Sequence, residues 1–512
     1  MKTTNKIIIL DFGSQYTQLI ARRIRDLEVY CEVWPYNTAL EKIKITPMKG
    51  IILSGGPASV YAEDAFLIDK QLFELKVPVL GICYGMQLIS HLHEGTVQRA
   101  TKQEFGFSEL IIDNQEDLFA NIPVKSQVWM SHADHIEGMP TNFIQIAHSE
   151  NSISAIKHSE KKIYGLQFHP EVTHTLIGQQ LLSNFVFNIC GCEPKWKITE
   201  FISAATTEIK NKVGTDNVVL ALSGGVDSSV CAVLLHKAIG KQLTCIFVDT
   251  GLLRQDSGWN DLQKFQEKFK LNIIKINAQE RFLTALKGVT NPEEKRKIIG
   301  NLFIEIFNEE AIKIQNVKWL GQGTIYPDVI ESVSVKGPSD TIKSHHNVGG
   351  LPKDLPFQLI EPLRELFKDE VRRTGEELGI DSKFVYKHPF PGPGLAVRII
   401  GEITAEKVAL LQAADQIFID ELYQANLYDQ VAQAFVVLLP VQSVGVMGDV
   451  RTYGYTAVVR SVNTNDFMTA NWSRLPFELL EKVSARIVSE VHGINRITYD
   501  ITSKPPGTIE WE

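Results

Sequence analysis

The stretch VVLALSGGVDSS, Val218 to Ser229, decides how the rest of the chain is read. Its aliphatic residues up to Leu222 form a buried-looking strand, Gly224 and Gly225 make a turn, and Val226, Asp227, Ser228 and Ser229 open a helix whose apolar positions continue through Val230, Val233 and Leu234. Such a turn suits a phosphate: backbone N–H groups converge where no Cβ intervenes, the helix N-terminus adds positive potential, and Ser223, Ser228 and Ser229 add hydroxyl donors. The Asp227 carboxylate would repel a bare phosphate, so it makes sense where a hard cation such as Mg²⁺ bridges it to phosphate oxygens. No G-x-x-x-x-G-K-[ST] string occurs, which excludes the common P-loop. A capped strand-to-helix turn is the plain alternative.

The string SGGVDSS resembles the pyrophosphate-binding loop of the N-type ATP pyrophosphatases, which cleave ATP between its α and β phosphates. Further strands follow at Leu243 to Val248, Asn272 to Ile276 and Val317 to Leu320, ending in Asp249-Thr-Gly251 and Gly321-Gln-Gly-Thr324. In an open parallel sheet these ends face one crevice. The resemblance implies that Val248 and the Gly321 to Thr324 turn flank adenosine; Asp249 reads equally as a turn residue. Residues 336–352 read as a long loop of lid type, from which Lys343, His345 and His346 could reach phosphates. A solvated surface loop reads the same way. KGVTNPEEKRK, residues 287–297, reads as a solvated charged face.

The chain of 512 residues has room for about three domains. A net charge of −8 argues against non-specific binding to nucleic acid or a membrane surface. Six scattered cysteines form neither a disulfide framework nor a zinc ribbon, and no apolar run is long enough for a signal peptide or a membrane span. A reducing cytoplasm is expected.

Upstream, apolar runs at Ile7 to Leu10, Ile51 to Leu53 and Val77 to Ile82 alternate with amphipathic segments such as Tyr16 to Leu27, predicting a parallel sheet with crossover helices. The third run enters Gly81-Ile-Cys83-Tyr84-Gly85 and a helix. That is the strand–turn–helix geometry of a nucleophile elbow with cysteine in the reactive place, where the helix N-terminus lowers the thiol pKa. A thiol nucleophile needs a base with an orienting partner. His169 and Glu171 in Gln167-Phe-His-Pro-Glu171 suit those roles, although His91, His93, His132, His135, His148, His158 and His174 are also available.

GICYGMQ and QFHPE resemble the signatures of class I, triad-type glutamine amidotransferases, and Leu53-Ser-Gly-Gly-Pro57 resembles the family loop. The resemblance spans essentially residues 6–190. It implies Cys83, His169 and Glu171 as the triad and the N–H groups of Gly56 and Tyr84 as the oxyanion hole. Gln87, Ser131, His132 and Asp134 are implied as glutamine contacts.

Downstream, three prolines and two glycines in HPFPGPGLAVR, residues 388–398, mark a hinge. A helix at Ala405 to Ala425, strands at Phe435 to Leu439, Ser443 to Met447 and Tyr455 to Ser461, a helix near Pro476 to Val491 and a strand at Ile497 to Ile501 then predict a small α+β domain. HPFPGPGLAVR, GVMGDVRTY, DFMTANW and SKPPGTIEWE resemble the corresponding strings of the glutamine-hydrolysing GMP synthase family.

The expected architecture is therefore α/β. Residues 1–192 would form a glutamine amidotransferase and residues 193–386 an ATP pyrophosphatase of the adenine nucleotide alpha hydrolase-like type, each on a parallel sheet. Residues 387–512 would form an α+β dimerisation and XMP-binding domain. The family resemblance implies Arg398, Lys504 and Glu510 as contacts of xanthosine monophosphate (XMP), a homodimer, and ATP, Mg²⁺ and L-glutamine as reactants. The SGGxDSS loop also occurs in NAD synthetases, and a tRNA-modifying pyrophosphatase is a rival of another class; the acidic charge and the C-terminal strings weigh against both.

Overall fold

The structure, a computed structural model, describes residues 4–255, 259–333, 357–447, 449–464, 467 and 469–512. The lid residues Lys343, His345 and His346 lie outside the described residues. The chain divides into two compact units, one built on residues 1–204 with a short segment from Pro327, the other on residues 205–326 with the C-terminal part of the chain.

The first unit holds a nine-stranded sheet. Its strands are β1 (Lys6–Asp11), β2 (Tyr30–Pro35), β3 (Gly50–Leu53), β4 (Val79–Ile82), β5 (Thr96–Ile112), β6 (Lys125–Gly138), β7 (Phe143–His148), β8 (Ile153–His158) and β9 (Ile163–Leu166), in the order β2-β1-β3-β4-β9-β8-β7-β5-β6. The first five in that order run parallel. Their continuous apolar runs fit burial on both faces, and β1, β3 and β4 are buried almost throughout. The remainder is antiparallel. The expected parallel sheet is thus present in the first five strands and is extended by an antiparallel part, where β5 and β6 alternate in burial because one of their faces meets solvent.

In the second unit a five-stranded sheet, all parallel, joins β10 (Asn217–Ala221), β11 (Leu243–Asp249), β12 (Ile273–Asn277), β13 (Val317–Gly321) and β14 (Gln358–Ile360) in the order β12-β11-β10-β13-β14. The winding direction reverses between β10 and β13. Such a switch point opens a ligand crevice at the carboxyl ends of the strands, and the glycine turn after β10 sits there.

A second sheet pairs β15 (Gln433–Met447), β16 (Val450–Asn463), β17 (Asn471–Trp472) and β18 (Ile494–Tyr499). Two predicted strands merge into β15 because Pro440 sits in a register shift between Leu438 and Gln442, where its missing N–H breaks no ladder bond. The last strand begins at Ile494, three residues earlier than expected. Helix Ala405–Gln424, capped by the Thr404 hydroxyl accepting from Lys407 N–H at 3.2 Å, packs on β15 and on helix Phe477–Glu490. One apolar core runs from Val219 and Ile246 through Leu395 and Ile399 to Val459 and Ile487, so it serves both sheets of the unit.

Lys295 corrects the reading of residues 287–297 as a solvated face. Asn291 and Pro292 start helix Pro292–Ala311, and on it Lys295 is fully buried. Its Nζ donates to Ile399 O at 2.8 Å and to Glu512 Oε2 at 2.5 Å, while Arg296 Nη2 donates to Glu512 O. Burial lowers the Lys295 pKa, and Glu512 opposes that shift. Buried Arg460 similarly binds the carbonyls of Thr502, Thr508 and Ile509, so the C-terminal stretch is held by charge and not frayed.

Candidate active site

Cys83 and His169 follow the carboxyl ends of neighbouring parallel strands, β4 and β9, which pair Ile82 with Leu166. Cys83 N–H donates to Leu166 O at 2.7 Å. The cysteine has φ +52° and ψ −106°, a strained conformation that lifts the thiol above the start of helix Tyr84–Leu92. The glycines on either side permit the turn: a Cβ at Gly81 would lie 2.4 Å from the Gly85 carbonyl carbon, and one at Gly85 would lie 2.4 Å from Leu53 O.

His169 Nδ1 bonds Glu171 Oε1 at 2.7 Å, and Glu171 is fully buried. Burial opposes the charged imidazole, but the Glu171 carboxylate and the Cys83 contact outweigh it and raise the His169 pKa well above its usual value. Thr175 Oγ1 donates to His169 O at 2.6 Å and Arg23 Nε to Glu171 O at 3.0 Å, fixing the backbone of the pair. The structure thus brings together a thiol, a base and an orienting acid.

The N–H groups of Gly56 and Tyr84 donate to no protein acceptor among the described residues. Ser131 O lies 3.8 Å from Cys83 Sγ. Gln87 Nε2 and His132 Nδ1 both bond Asp134 O, at 2.9 and 3.0 Å, and the Asp134 carboxylate accepts from Ser59 and Tyr61. Gln87, Ser131, His132 and Asp134 are therefore one cluster beside the thiol. Ser59, Tyr61 and Glu104, which accepts from Ser149 and Ser152 behind His132, belong to it and were not legible as motif residues.

In the second unit, Gly224 takes φ +78° at the turn after β10. Ser223 Oγ and Ser228 Oγ are 3.0 Å apart across it, while the buried Ser229 hydroxyl has no hydrogen-bond partner among the described residues. The Gly321 to Thr324 turn closes against this loop, since a Cβ at Gly323 would lie 3.1 Å from the Asp227 carbonyl carbon. Val248, at the end of β11, and Thr324 are buried, and Thr324 Oγ1 donates to Glu361 Oε1 at 2.7 Å. Asp227 has an unforeseen partner in Lys368, the first residue of helix Lys368–Glu377, whose Nζ is 2.7 Å from both carboxylate oxygens. Each oxygen keeps a further lone pair, and the side chain is partly exposed, so the carboxylate still suits a cation carried on phosphates. Among the described residues no cluster of three or more His, Cys, Asp or Glu could hold a metal by itself.

Arg398 and Glu510 meet each other: the guanidinium forks onto the carboxylate at 2.8 and 3.0 Å, over the Phe435 ring. Gln433 Nε2 donates to the same carboxylate at 2.7 Å. Lys504 Nζ donates to Phe467 O at 2.8 Å. Arg254, after β11, approaches buried Asp415 at 2.7 Å, and its Nη2 donates to Ala434 O.

Residues 8–189 match the family model "Glutamine amidotransferase class-I", residues 198–304 match "NAD synthase", and residues 420–511 match "GMP synthase C terminal domain". A GMP synthase [glutamine-hydrolyzing] from Spiroplasma kunkelii is 97% identical over 512 residues, covering all of both chains. The protein of that name from Fusobacterium nucleatum subsp. nucleatum is 63% identical over 507 residues, 99% of each chain. That from Carboxydothermus hydrogenoformans is 56% identical over 509 residues, 99% of this chain and 100% of its own.

Proposed function

This chain belongs to the glutamine-hydrolysing GMP synthases, and from that premise we propose how its residues divide the work. The activity is glutamine-dependent GMP synthesis, not NAD synthesis. Cys83 Sγ attacks the side-chain amide carbon of glutamine, and His169 takes the thiol proton and returns it to the departing ammonia. Glu171 orients the imidazole, and the N–H groups of Gly56 and Tyr84 hold the oxyanion. Water then cleaves the γ-glutamyl thioester to glutamate. Gln87, Ser131, His132 and Asp134 shape the glutamine pocket.

ATP enters with Mg²⁺ as one substrate. Ser223 to Ser229 hold the pyrophosphate portion, Val248, Gly321 and Thr324 border adenosine, and Asp227 would hold the cation, which neutralises phosphate charge there. The O2 oxygen of XMP attacks the α phosphorus and pyrophosphate leaves. Ammonia then attacks C2, AMP departs with that oxygen, and a proton is lost, giving GMP. Arg398, Lys504 and Glu510 contact XMP, the first two as cations on its phosphate and Glu510 through its base or ribose.

The division into residues 1–192, 193–386 and 387–512 follows these three tasks. Exposed Val444, Val446, Val450 and Tyr453 on the β15–β16 hairpin support a homodimer through the C-terminal part. All six cysteines are unpaired, which supports a cytoplasmic location, and no helix among the described residues is long and apolar enough to cross a membrane.

The observation that carries the reading is the strained Cys83 beside the His169–Glu171 pair. Its test is pyrophosphate release from ATP with glutamine and XMP against other acceptors. Release that is equally fast with an acceptor other than XMP would sink it.

A further inference from the structure

On β5 the usual phasing is inverted. Phe105 and Phe107 are 65% and 66% exposed, whereas Glu104 between the polar Gln103 and Phe105 is 8% exposed. Burying a carboxylate while exposing two aromatic rings is unfavourable on both counts, so a local apolar core would not select it. The carboxylate is instead fully engaged. It accepts from Ser149 Oγ at 2.9 and 3.1 Å and from Ser152 Oγ at 2.6 Å, both in the turn between β7 and β8. It also faces His132 Nε2 at 3.3 Å, a contact too poorly aligned for a good hydrogen bond but within ion-pair range.

We infer that Glu104 is a positioning residue for the glutamine pocket, clamping His132 and the Ser149–Ser152 turn so that the Ser131–Asp134 segment stands correctly beside Cys83. The contacts run without a break. Glu104 faces His132, His132 and Gln87 converge on Asp134 O, and Gln87 lies on the helix that begins one residue after Cys83. At the near end, Ser131 O is 3.8 Å from the sulfur. Burial would raise the Glu104 carboxyl, but the His132 ring beside it and the hydrogen bonds from Ser152 and Ser149 hold it down to about 2, so the clamp stays ionised at neutral pH. Replacing it removes the acceptor of both serine hydroxyls and the carboxylate facing His132, and frees the segment that lines the pocket.

This inference rests on Cys83 as the glutaminase nucleophile, and the full-length protein can test the two separately. Steady-state kinetics of Glu104→Ala should show KM for glutamine raised at least about 10-fold, the loss expected for one charge-assisted contact. kcat at saturating glutamine, iodoacetamide labelling of Cys83 and ammonium-dependent GMP formation should stay near wild type. Glu104→Gln, which keeps one acceptor oxygen for the serines, should recover part of the KM. An unchanged KM in Glu104→Ala overturns the inference, and so does a loss of kcat and labelling together, which would mark a merely structural residue. If Glu104→Ala does not fold, Glu104→Gln decides, and a wild-type KM there overturns it. Should Cys83→Ala still use glutamine, the nucleophile assignment fails; should it lose glutamine use while the Glu104 variants keep wild-type KM, only the positioning role fails.

Discussion

Lys368 Nζ stands 2.7 Å from each carboxylate oxygen of Asp227. The acid in the SGGVDSS turn is thereby neutralised by a cation from another helix, so an approaching triphosphate meets a balanced site. Lys368→Ala leaves Asp227 bare. Pyrophosphate release should fall by about 10²-fold with either glutamine or ammonium as nitrogen source, the scale seen when one preorganised electrostatic group is removed. Unaltered release would make the ion pair a bystander.

Cys83→Ala removes the only thiol at the elbow while leaving the second unit untouched. Glutamine-dependent GMP formation should disappear, and synthesis from ammonium salts should persist at close to the wild-type rate. Loss of both, with the protein still folded by circular dichroism, contradicts the division of labour.

Glu171→Gln keeps the shape of the pair but not its charge. Because the folded His169 pKa is raised, the charged pair contributes stability that is fully present below the ordinary histidine value near 6.5 and is lost as pH climbs through the folded value. The Tm difference between wild type and Glu171→Gln should therefore be largest in mild acid and shrink as pH rises. Glutaminase kcat should drop by about 10²- to 10⁴-fold. A pH-independent Tm difference would remove the electrostatic account.

His388 behaves oppositely. It stacks on Tyr428 at 3.8 Å, its Nε2–H donates to Tyr428 O at 2.9 Å, and burial is the main cause that lowers its pKa to about 4. The unfolded chain binds this proton below about 6.5 while the folded one does not until about 4. Its contribution is thus present above pH 6.5 and is lost as pH falls, by up to about 3 kcal/mol. His388→Phe should cost about 1 kcal/mol at pH 7 through the lost hydrogen bond, yet flatten the decline between pH 7 and 5 in urea unfolding. Parallel declines would exonerate His388.

Several features were legible because local sequence dictates them. The glycine turns at Gly81 to Gly85 and Gly224 to Gly225 cannot be built otherwise, and the apolar runs of β1, β3, β10 and β11 are long enough to declare buried parallel strands. Partners distant in sequence were not legible. Lys368 meets Asp227 across 141 positions and Glu104 meets Ser149 across 45, and nothing in either neighbourhood names the other. The alternation of β5 even misleads, since period-2 reasoning would turn Phe105 and Phe107 inward. Pro440 misled in a different way, suggesting a strand end where the ladder merely shifts register.

The bond between Lys295 and Glu512 spans 217 positions. On a ribosome adding about 5–20 residues per second, the lysine waits on the order of ten seconds or more for its counter-ion. Through that interval the ammonium has no carboxylate to join it in the core, and burying it alone is prohibitively costly. The first unit, drawn from residues 1–204 and the segment from Pro327, is synthesised before Glu512 and can close during that wait. Nascent chains should therefore carry a finished glutaminase before the synthetase half has sealed.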